Sequence, residues 1–205
     1  AQIAGLSQNI TLYAQWEINT YHITYELNGG KNGQNPASYT CADSITLQEP
    51  GKTGYAFGGW YTDAGFYSPA AGIAVGSTGD RVFYAKWEAK KYTICFKGNG
   101  STSGKMSSLT SRKYGKNYQL TANKFKRTGY TFVGWNTKKD GSGTAFKNKA
   151  KVKNLTTKSG GKVVLYAQWK KTKYTITYKL KGGKNAAKNP DYYYYTTKTI
   201  TLKKP

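Results

Sequence analysis

The sequence is poor in the residues that metal binding, disulfide bonding and acid–base catalysis require. Its 205 residues include two Cys, one His and nine Asp or Glu. Cys41 and Cys95 allow one bridge between them but no disulfide framework. The single histidine, His22, occurs in only one copy of the repeat identified below, so it cannot supply a catalytic pair to every copy. The sequence therefore predicts no enzymatic activity and no metal site.

Long hydrophobic runs are also missing. The apolar stretches are much shorter than the roughly 18–20 residues that cross a membrane, so we expect no membrane insertion in this segment. No signal peptide opens the chain. Because the chain begins inside a repeated pattern, we expect it to be a piece of a longer protein.

Aromatic residues and glycine, by contrast, are abundant. The chain has 19 Tyr, 7 Phe, 5 Trp and 24 Gly. Tyrosine is enriched in strands and glycine in turns. No long stretch has the 3.6-residue periodicity of an amphipathic helix. The composition therefore predicts a mostly-β or α+β fold, with room for one short helix in each repeat.

The net charge of +23 is confined to one half of the chain. Residues 1–91 contain 6 Lys or Arg and 7 Asp or Glu, whereas residues 92–205 contain 26 and 2. A basic region of this kind is typical of proteins that meet a polyanion. Nearly all of the cations are Lys, which lacks the planar donor fork that reads bases, so we expect no specific nucleic-acid recognition.

Three motifs recur along the chain in a fixed order. Their opening tyrosines and their closing tryptophans are both spaced by 71 and then by 82 residues. The motifs read YHITYELNGG (21–30), YTICFKGNG (92–100) and YTITYKLKGG (174–183); TGYAFGGW (53–60) and TGYTFVGW (128–135); and LYAQW (12–16), FYAKW (83–87) and LYAQW (165–169). Equal spacing indicates that one unit is copied in tandem.

The repeat pattern divides the chain into four segments. Residues 1–20 correspond to the C-terminal end of a truncated repeat, and residues 174–205 to the N-terminal part of another. Two complete repeats lie between them, at 21–91 and 92–173, and the second is strongly basic. We expect neighbouring repeats of the same chain to be partners of one another.

Apolar residues alternate with polar ones inside the motifs, which predicts strands. Tyr21, Ile23 and Tyr25 share one face of the first motif. In LYAQW, Leu12 and Trp16 share a face across a small alanine. We predict that this pentapeptide is the closing strand of a repeat, with Leu12 and Trp16, and likewise Leu165 and Trp169, turned inward.

The ordered set of three motifs resembles the Listeria–Bacteroides repeat family, which includes the B repeat of internalin B. The resemblance covers nearly the whole chain. It implies a small β-grasp-like module that occurs in tandem in large secreted or surface proteins of bacteria. It also implies a structural or stalk role, in some members associated with adhesion, without enzymatic activity or a cofactor.

The tryptophans recur at matched positions, so we predict that they form the cores of the modules. An exposed aromatic binding row is the alternative. The five residues are Trp16, Trp60, Trp87, Trp135 and Trp169.

A lysine-rich segment, FKNKAKVKN at 146–154, is the sharpest candidate site. On a strand its alternating lysines would form a row on one face, roughly 6.5–7 Å apart. The row has two possible interpretations: it binds a polyanion along its length, or it protects an edge strand against aggregation. The candidate polyanion-binding residues are Lys147, Lys149, Lys151 and Lys153, together with Lys124, Lys126 and Arg127. The run DYYYY (191–195) offers rings for glycan stacking or for packing.

The patterns and the resemblance together predict three functions, and the resemblance implies an extracellular location for all of them, at the bacterial cell surface or secreted. The first is a non-enzymatic stalk or spacer of adhesion type. The second is a polyanion- or glycan-binding module that acts through residues 92–205 on an anionic cell-wall polymer or a host glycosaminoglycan. The third is a filament subunit that self-assembles.

Overall fold

The computed structural model describes residues 9–204, and within them every regular element is a β-strand. The prediction of a mostly-β fold is confirmed. The helix that the sequence left room for in each repeat is absent from this described part of the chain. The finer comparison with a β-grasp module stays a prediction.

The first repeat contains seven strands. Five of them form one sheet in the order β2-β1-β7-β4-β5, and β3 pairs with β6 in a small ribbon. The strands are β1 (Thr20–Glu26), β2 (Ser38–Thr40), β3 (Ile45–Thr46), β4 (Tyr55–Tyr61), β5 (Pro69–Ala70), β6 (Gly72–Ile73) and β7 (Arg81–Ala89).

The second repeat has the same arrangement. Its five-stranded sheet has the order β9-β8-β14-β11-β12, and β10 pairs with β13 in a ribbon. The strands are β8 (Lys91–Lys97), β9 (Leu109–Lys113), β10 (Asn117–Gln119), β11 (Tyr130–Asn136), β12 (Ala145–Phe146), β13 (Lys151–Lys153) and β14 (Gly161–Lys171). A last hairpin joins β15 (Lys173–Thr175) to β16 (Tyr192–Tyr194).

The opening and closing strands of each repeat are parallel neighbours at the centre of the sheet. In the first repeat Ile23 pairs with Arg81, and in the second Tyr92 pairs with Gly161. The strand that begins at the tyrosine of T-G-Y follows on the far side of the closing strand, and in the second repeat it runs antiparallel to it. The three recurring motifs are therefore the three central strands.

Each repeat has its own hydrophobic core, built by the alternation of its strands. The first core is formed by Ile23, Tyr39, Trp60, Ile73, Phe83 and Ala85. The second is formed by Tyr92, Ile94, Phe96, Leu120, Trp135, Val152, Leu165 and Ala167. Among the described residues there are two compact units: residues 9–52 together with 57–88, and residues 53–56 together with 89–204.

The prediction of an inward-facing closing strand is confirmed at 165–169, where Leu165 is buried and Trp169 packs against the core, but it is wrong for Leu12 and Trp16. Residues 9–19 form no strand, and the side chains of Leu12 and Trp16 are 72% and 91% exposed. The matching tryptophan of the first complete repeat, Trp87, bonds to a residue 60 positions earlier in the chain. The side chain of Trp16 is solvent-exposed instead and belongs to neither core.

Candidate functional site

The lysine-rich segment is not one continuous strand, so the predicted row of four lysines on one face is wrong. β12 ends at Phe146 and β13 begins at Lys151. Between them the chain makes a tight turn, in which the amide of Ala150 donates to the carbonyl of Lys147 at 3.2 Å. Lys149 sits in this turn at φ 58°, a left-handed conformation that breaks strand alternation.

Two of the lysines do lie on a common strand face. β13 pairs antiparallel with β10, so that Lys151 is opposite Gln119 and Lys153 is opposite Asn117. Val152, between the lysines, is buried in the core of the repeat. Both ammonium groups therefore point to solvent from one face, about 6.5–7 Å apart along the strand.

A neighbouring loop brings further lysines close to this ribbon. The amide of Asn123 donates to Oδ1 of Asn148 at 2.9 Å, which sets Lys124 beside the turn that carries Lys147 and Lys149. Lys126 follows two residues later, where it forms a bridge with Ser103. Lys124 and Lys126 are both exposed.

Arg127 is held differently from the lysines. Its guanidinium carbon lies 3.9 Å from the centroid of the Tyr130 ring, a cation–π contact within one tight turn. The amide of Tyr130 also donates to the carbonyl of Arg127 at 3.0 Å. Arg127 is therefore partly engaged inside the protein, whereas the six lysines of the candidate set are exposed.

The described carboxylates with shifted pKa values serve as caps of tight turns. The backbone amide of Ser142 is the main cause that lowers the pKa of Asp140. Asp63 is held in the same way by the amide of Ser68, and Asp43 by that of Thr40, and the pKa of each is lowered. Asp140 is the one acidic residue of the basic repeat, and its carboxylate accepts hydrogen bonds within a turn.

The burial of the tryptophans differs according to the motif that they end. Trp60 and Trp135, which end the T-G-Y motif, are 3% and 1% exposed and lie in the two cores. Trp87 and Trp169 are half-buried and pack against those cores. Trp16 is exposed, as described above.

Groups suited to catalysis or metal binding do not cluster in the described residues. No set of three His, Cys, Asp or Glu side chains within 9–204 could hold a metal ion. Cys41 and Cys95 are both free thiols. The backbone amide of His22 donates to Asp80 at 2.8 Å, and its side chain is exposed. Across the same residues no helix is long and apolar enough to span a membrane.

Sequence reasoning missed two features of the second unit. One is the β10–β13 ribbon, because strands this short give almost no periodic signal. The other is the contact between Gly129 of T-G-Y and Tyr195. The recurrence of T-G-Y signalled that its glycine matters, but not which residue it meets.

Comparison with known proteins agrees with the strand pattern. A family model described as the Listeria-Bacteroides repeat domain matches residues 21–86 and 92–168. A putative membrane protein of Evansella cellulosilytica is 31% identical over 186 residues, which cover 87% of this chain and 25% of the relative. A putative Gly-rich membrane protein of the same organism is 31% identical over 188 residues, covering 89% and 20%.

The chain thus spans a quarter and a fifth of the lengths of these two relatives. No solved structure matches it. The two family matches coincide with the two five-stranded sheets and carry the three motifs in the same order. The chain belongs to the Listeria–Bacteroides repeat domain family, with two tandem copies of the repeat at residues 21–86 and 92–168.

Proposed function

We propose that this segment is a non-enzymatic stalk or spacer in a bacterial cell-surface or secreted protein. The two repeats share strand order and core positions, yet residues 21–91 are neutral and residues 92–173 carry 19 basic residues and 1 acidic residue. A function common to both repeats must therefore reside in the scaffold. The relatives are named as membrane proteins, which supports a role at the cell envelope.

The parallel pairing of the opening and closing strands carries this proposal. Tension enters a repeat at the start of its opening strand and leaves at the end of its closing strand. Because these strands are parallel neighbours, the two forces pull them in opposite directions along their length. All hydrogen bonds between them are then loaded together, and none can open first as in a hairpin that unzips.

Stretching single molecules of the 205-residue chain tests the proposal. We expect two separate unfolding events at high force, one for each sheet. Each event is assigned from its gain in length, at roughly 3.3–3.6 Å for each residue released. The second repeat should resist the higher force, because six residue pairs join β8 to β14 and four join β1 to β7.

A pair of proline variants tests which strand pair resists mechanical unfolding. The amide of Gly160 donates to the carbonyl of Lys91, and alternation along parallel strands directs the amide of Lys162 to β8 as well. Lys162→Pro should therefore lower the unfolding force of the second repeat. Ala145→Pro is the matched control, since the equivalent edge-strand position of the first repeat already holds Pro69. Equal forces in Lys162→Pro and the unchanged chain would contradict the mechanism.

Polyanion binding by residues 92–205 is the second candidate, and the exposed lysines around the β10–β13 ribbon favour it. The test compares two four-residue variants of the whole chain on a sulfated polysaccharide column. The site variant replaces Lys147, Lys149, Lys151 and Lys153 by Gln. The control variant, with the same loss of charge, replaces Lys179, Lys181, Lys184 and Lys188 by Gln.

We expect the site variant to elute at lower salt than the control, because neighbouring lysines release counterions from one stretch of polymer. If both variants elute at the same salt concentration, net charge alone explains the retention. A chain that is not retained near physiological salt would leave only the structural role.

A further inference from the structure

The glycines of the two T-G-Y motifs each lie directly against a tyrosine. A Cβ atom at Gly129 would lie 2.5 Å from Cγ of Tyr195, and one at Gly54 would overlap the ring of Tyr114. Both glycines have positive φ angles, 74° and 79°. No other residue could occupy these positions without moving the tyrosine and straining the backbone.

The two tyrosines occupy the same position in successive repeats. Lys113, the last residue of β9, pairs with the residue before the opening tyrosine Tyr92. Tyr194, the last residue of β16, likewise pairs with Lys173, just before Tyr174. Tyr114 and Tyr195 come directly after these residues, so each begins the turn that follows the second strand of its repeat.

A backbone hydrogen bond accompanies each contact. The amide of Thr172 donates to the carbonyl of Gly129 at 2.9 Å, and the amide of Lys90 donates to the carbonyl of Gly54 at 3.0 Å. Thr172 and Lys90 both lie two residues before an opening tyrosine. The second compact unit therefore contains the same set of glycine, tyrosine and amide twice.

The last hairpin needs such support. Its strands are joined by three residue pairs and by the stacked rings of Tyr174 and Tyr193, 5.1 Å apart. Beyond the strands, the amide of Ile176 donates to the carbonyl of Asp191 and the hydroxyl of Tyr178 to that of Pro190, each at 2.9 Å. Most of its side chains are exposed, and a two-stranded hairpin by itself is marginally stable in water. Its contact with Gly129 joins it to a repeat that has a complete core.

We propose that T-G-Y is a docking site for the following repeat. Its glycine accepts the tyrosine that begins the turn after the second strand of that repeat, and its carbonyl accepts the amide that precedes the opening tyrosine. On this account the glycine recurs because the next repeat packs on it. This inference holds whether or not the segment bears force.

Hydrogen exchange of the 205-residue chain, followed by mass spectrometry, tests the tyrosine. Tyr195→Ala should accelerate exchange in residues 173–176 and 191–194 by about tenfold or more, with no change in β11 or β14. Tyr195→Phe retains the ring and should keep the protection of the parent chain. Unchanged exchange in Tyr195→Ala would overturn the proposal.

A pair of glycine variants tests the other side of the contact. Gly129→Ala should accelerate exchange in the same hairpin, because the added methyl group displaces Tyr195. Gly160→Ala is the matched control: Gly160 has a similar φ of 67°, but a Cβ atom there meets nothing within 4 Å. If both variants have the same effect on residues 173–194, backbone strain alone explains the result and the docking site is refuted.

Discussion

The indole Nε1 of Trp87 donates a hydrogen bond of 2.9 Å to the carbonyl oxygen of Leu27. Trp169 makes the same bond, also 2.9 Å long, to the carbonyl of Gly98 in the second repeat. Leu27 and Gly98 are the sixth residues after the opening tyrosines. The last residue of the closing motif is thus fixed to the end of the opening motif, across 60 residues of chain in the first repeat and 71 in the second.

The packing around Trp87 predicts that Gly30→Ala destabilises the first repeat. A Cβ atom at Gly30 would lie 2.5 Å from Cζ2 of Trp87 and 3.2 Å from the carbonyl oxygen of Gly51. Forcing a methyl group into this contact should lower the free energy of unfolding by about 1–3 kcal/mol. Urea unfolding of the 205-residue chain, with the exchange of β1 and β7 amides as the probe, measures it.

Gly51→Ala is the control for this prediction. Gly51 forms a backbone bridge with Lys31, close to Gly30, but a Cβ atom there meets nothing within 4 Å. We expect Gly51→Ala to have the stability of the parent chain. A loss of stability as large as that of Gly30→Ala would show that the contact with Trp87 is not the cause.

Replacing the buried tryptophan by phenylalanine should destabilise the two repeats by unequal amounts. Nε1 of Trp60 donates to the carbonyl of Gln48 at 2.9 Å, whereas Nε1 of Trp135 is buried without a partner among the described residues. Trp60→Phe loses a hydrogen bond, and Trp135→Phe removes a donor that is unpaired.

The two variants lose the same volume, so their difference isolates the hydrogen bond. We expect Trp60→Phe to destabilise its repeat by about 1–2 kcal/mol more than Trp135→Phe destabilises the other. The probe is the urea midpoint of each repeat, read from the amides of its own central strands. Equal losses would indicate that the indole of Trp135 has a partner in solution, such as a water molecule.

The sequence predicted which residues face the core much better than which strands are neighbours. Alternation in β1 correctly places Tyr21, Ile23 and Tyr25 on one face, and all three lie in or against the first core. The same pattern does not say that β1 pairs in parallel with β7, on the other side of the repeat. A period of two fixes the face of a strand, but its neighbour is chosen by packing across the whole repeat.

The candidate site was predicted less well, for a local reason. Strict alternation of lysine from 147 to 153 favours one strand, and the strand is interrupted at Lys149. The turn there is stabilised by contacts from distant segments, including the bond from Nε2 of Gln119 to the carbonyl of Lys149 at 3.3 Å. Lysine is not among the residues enriched at positive φ, so the residue type at position 149 gives no sign of the turn.

Acid should release the turn that Asp63 organises. The backbone amide of Ser68 is the leading cause that lowers the pKa of Asp63, followed on the same side by that of Tyr67. A carboxyl group whose pKa is lower in the folded state stabilises the fold above its ordinary pKa of about 3.9. That stabilisation is lost as the pH falls through the lowered value.

We therefore expect the NMR shifts of the Ser68 and Tyr67 amides to titrate with a midpoint below about 3.9. In Asp63→Asn this titration should disappear. Asp43→Asn is the control, because Asp43 accepts its hydrogen bonds from Thr40 and should leave the 62–68 turn unchanged. A midpoint at or above the ordinary value would show that the amides do not hold the carboxylate in solution.

Two identical copies of LYAQW should differ in their resistance to chymotrypsin. At 165–169 the pentapeptide lies inside β14, between β8 and β11, with Leu165 and Ala167 fully buried. At 12–16 it belongs to no strand, and Trp16 is 91% exposed. Because proteases cut backbone that is exposed and unpaired, we expect early cleavage after Tyr13 or Trp16. Mass spectrometry of a timed digest gives the order of cuts. Simultaneous cleavage within 165–169 would show that context does not protect the second copy, and would contradict its central place in the sheet.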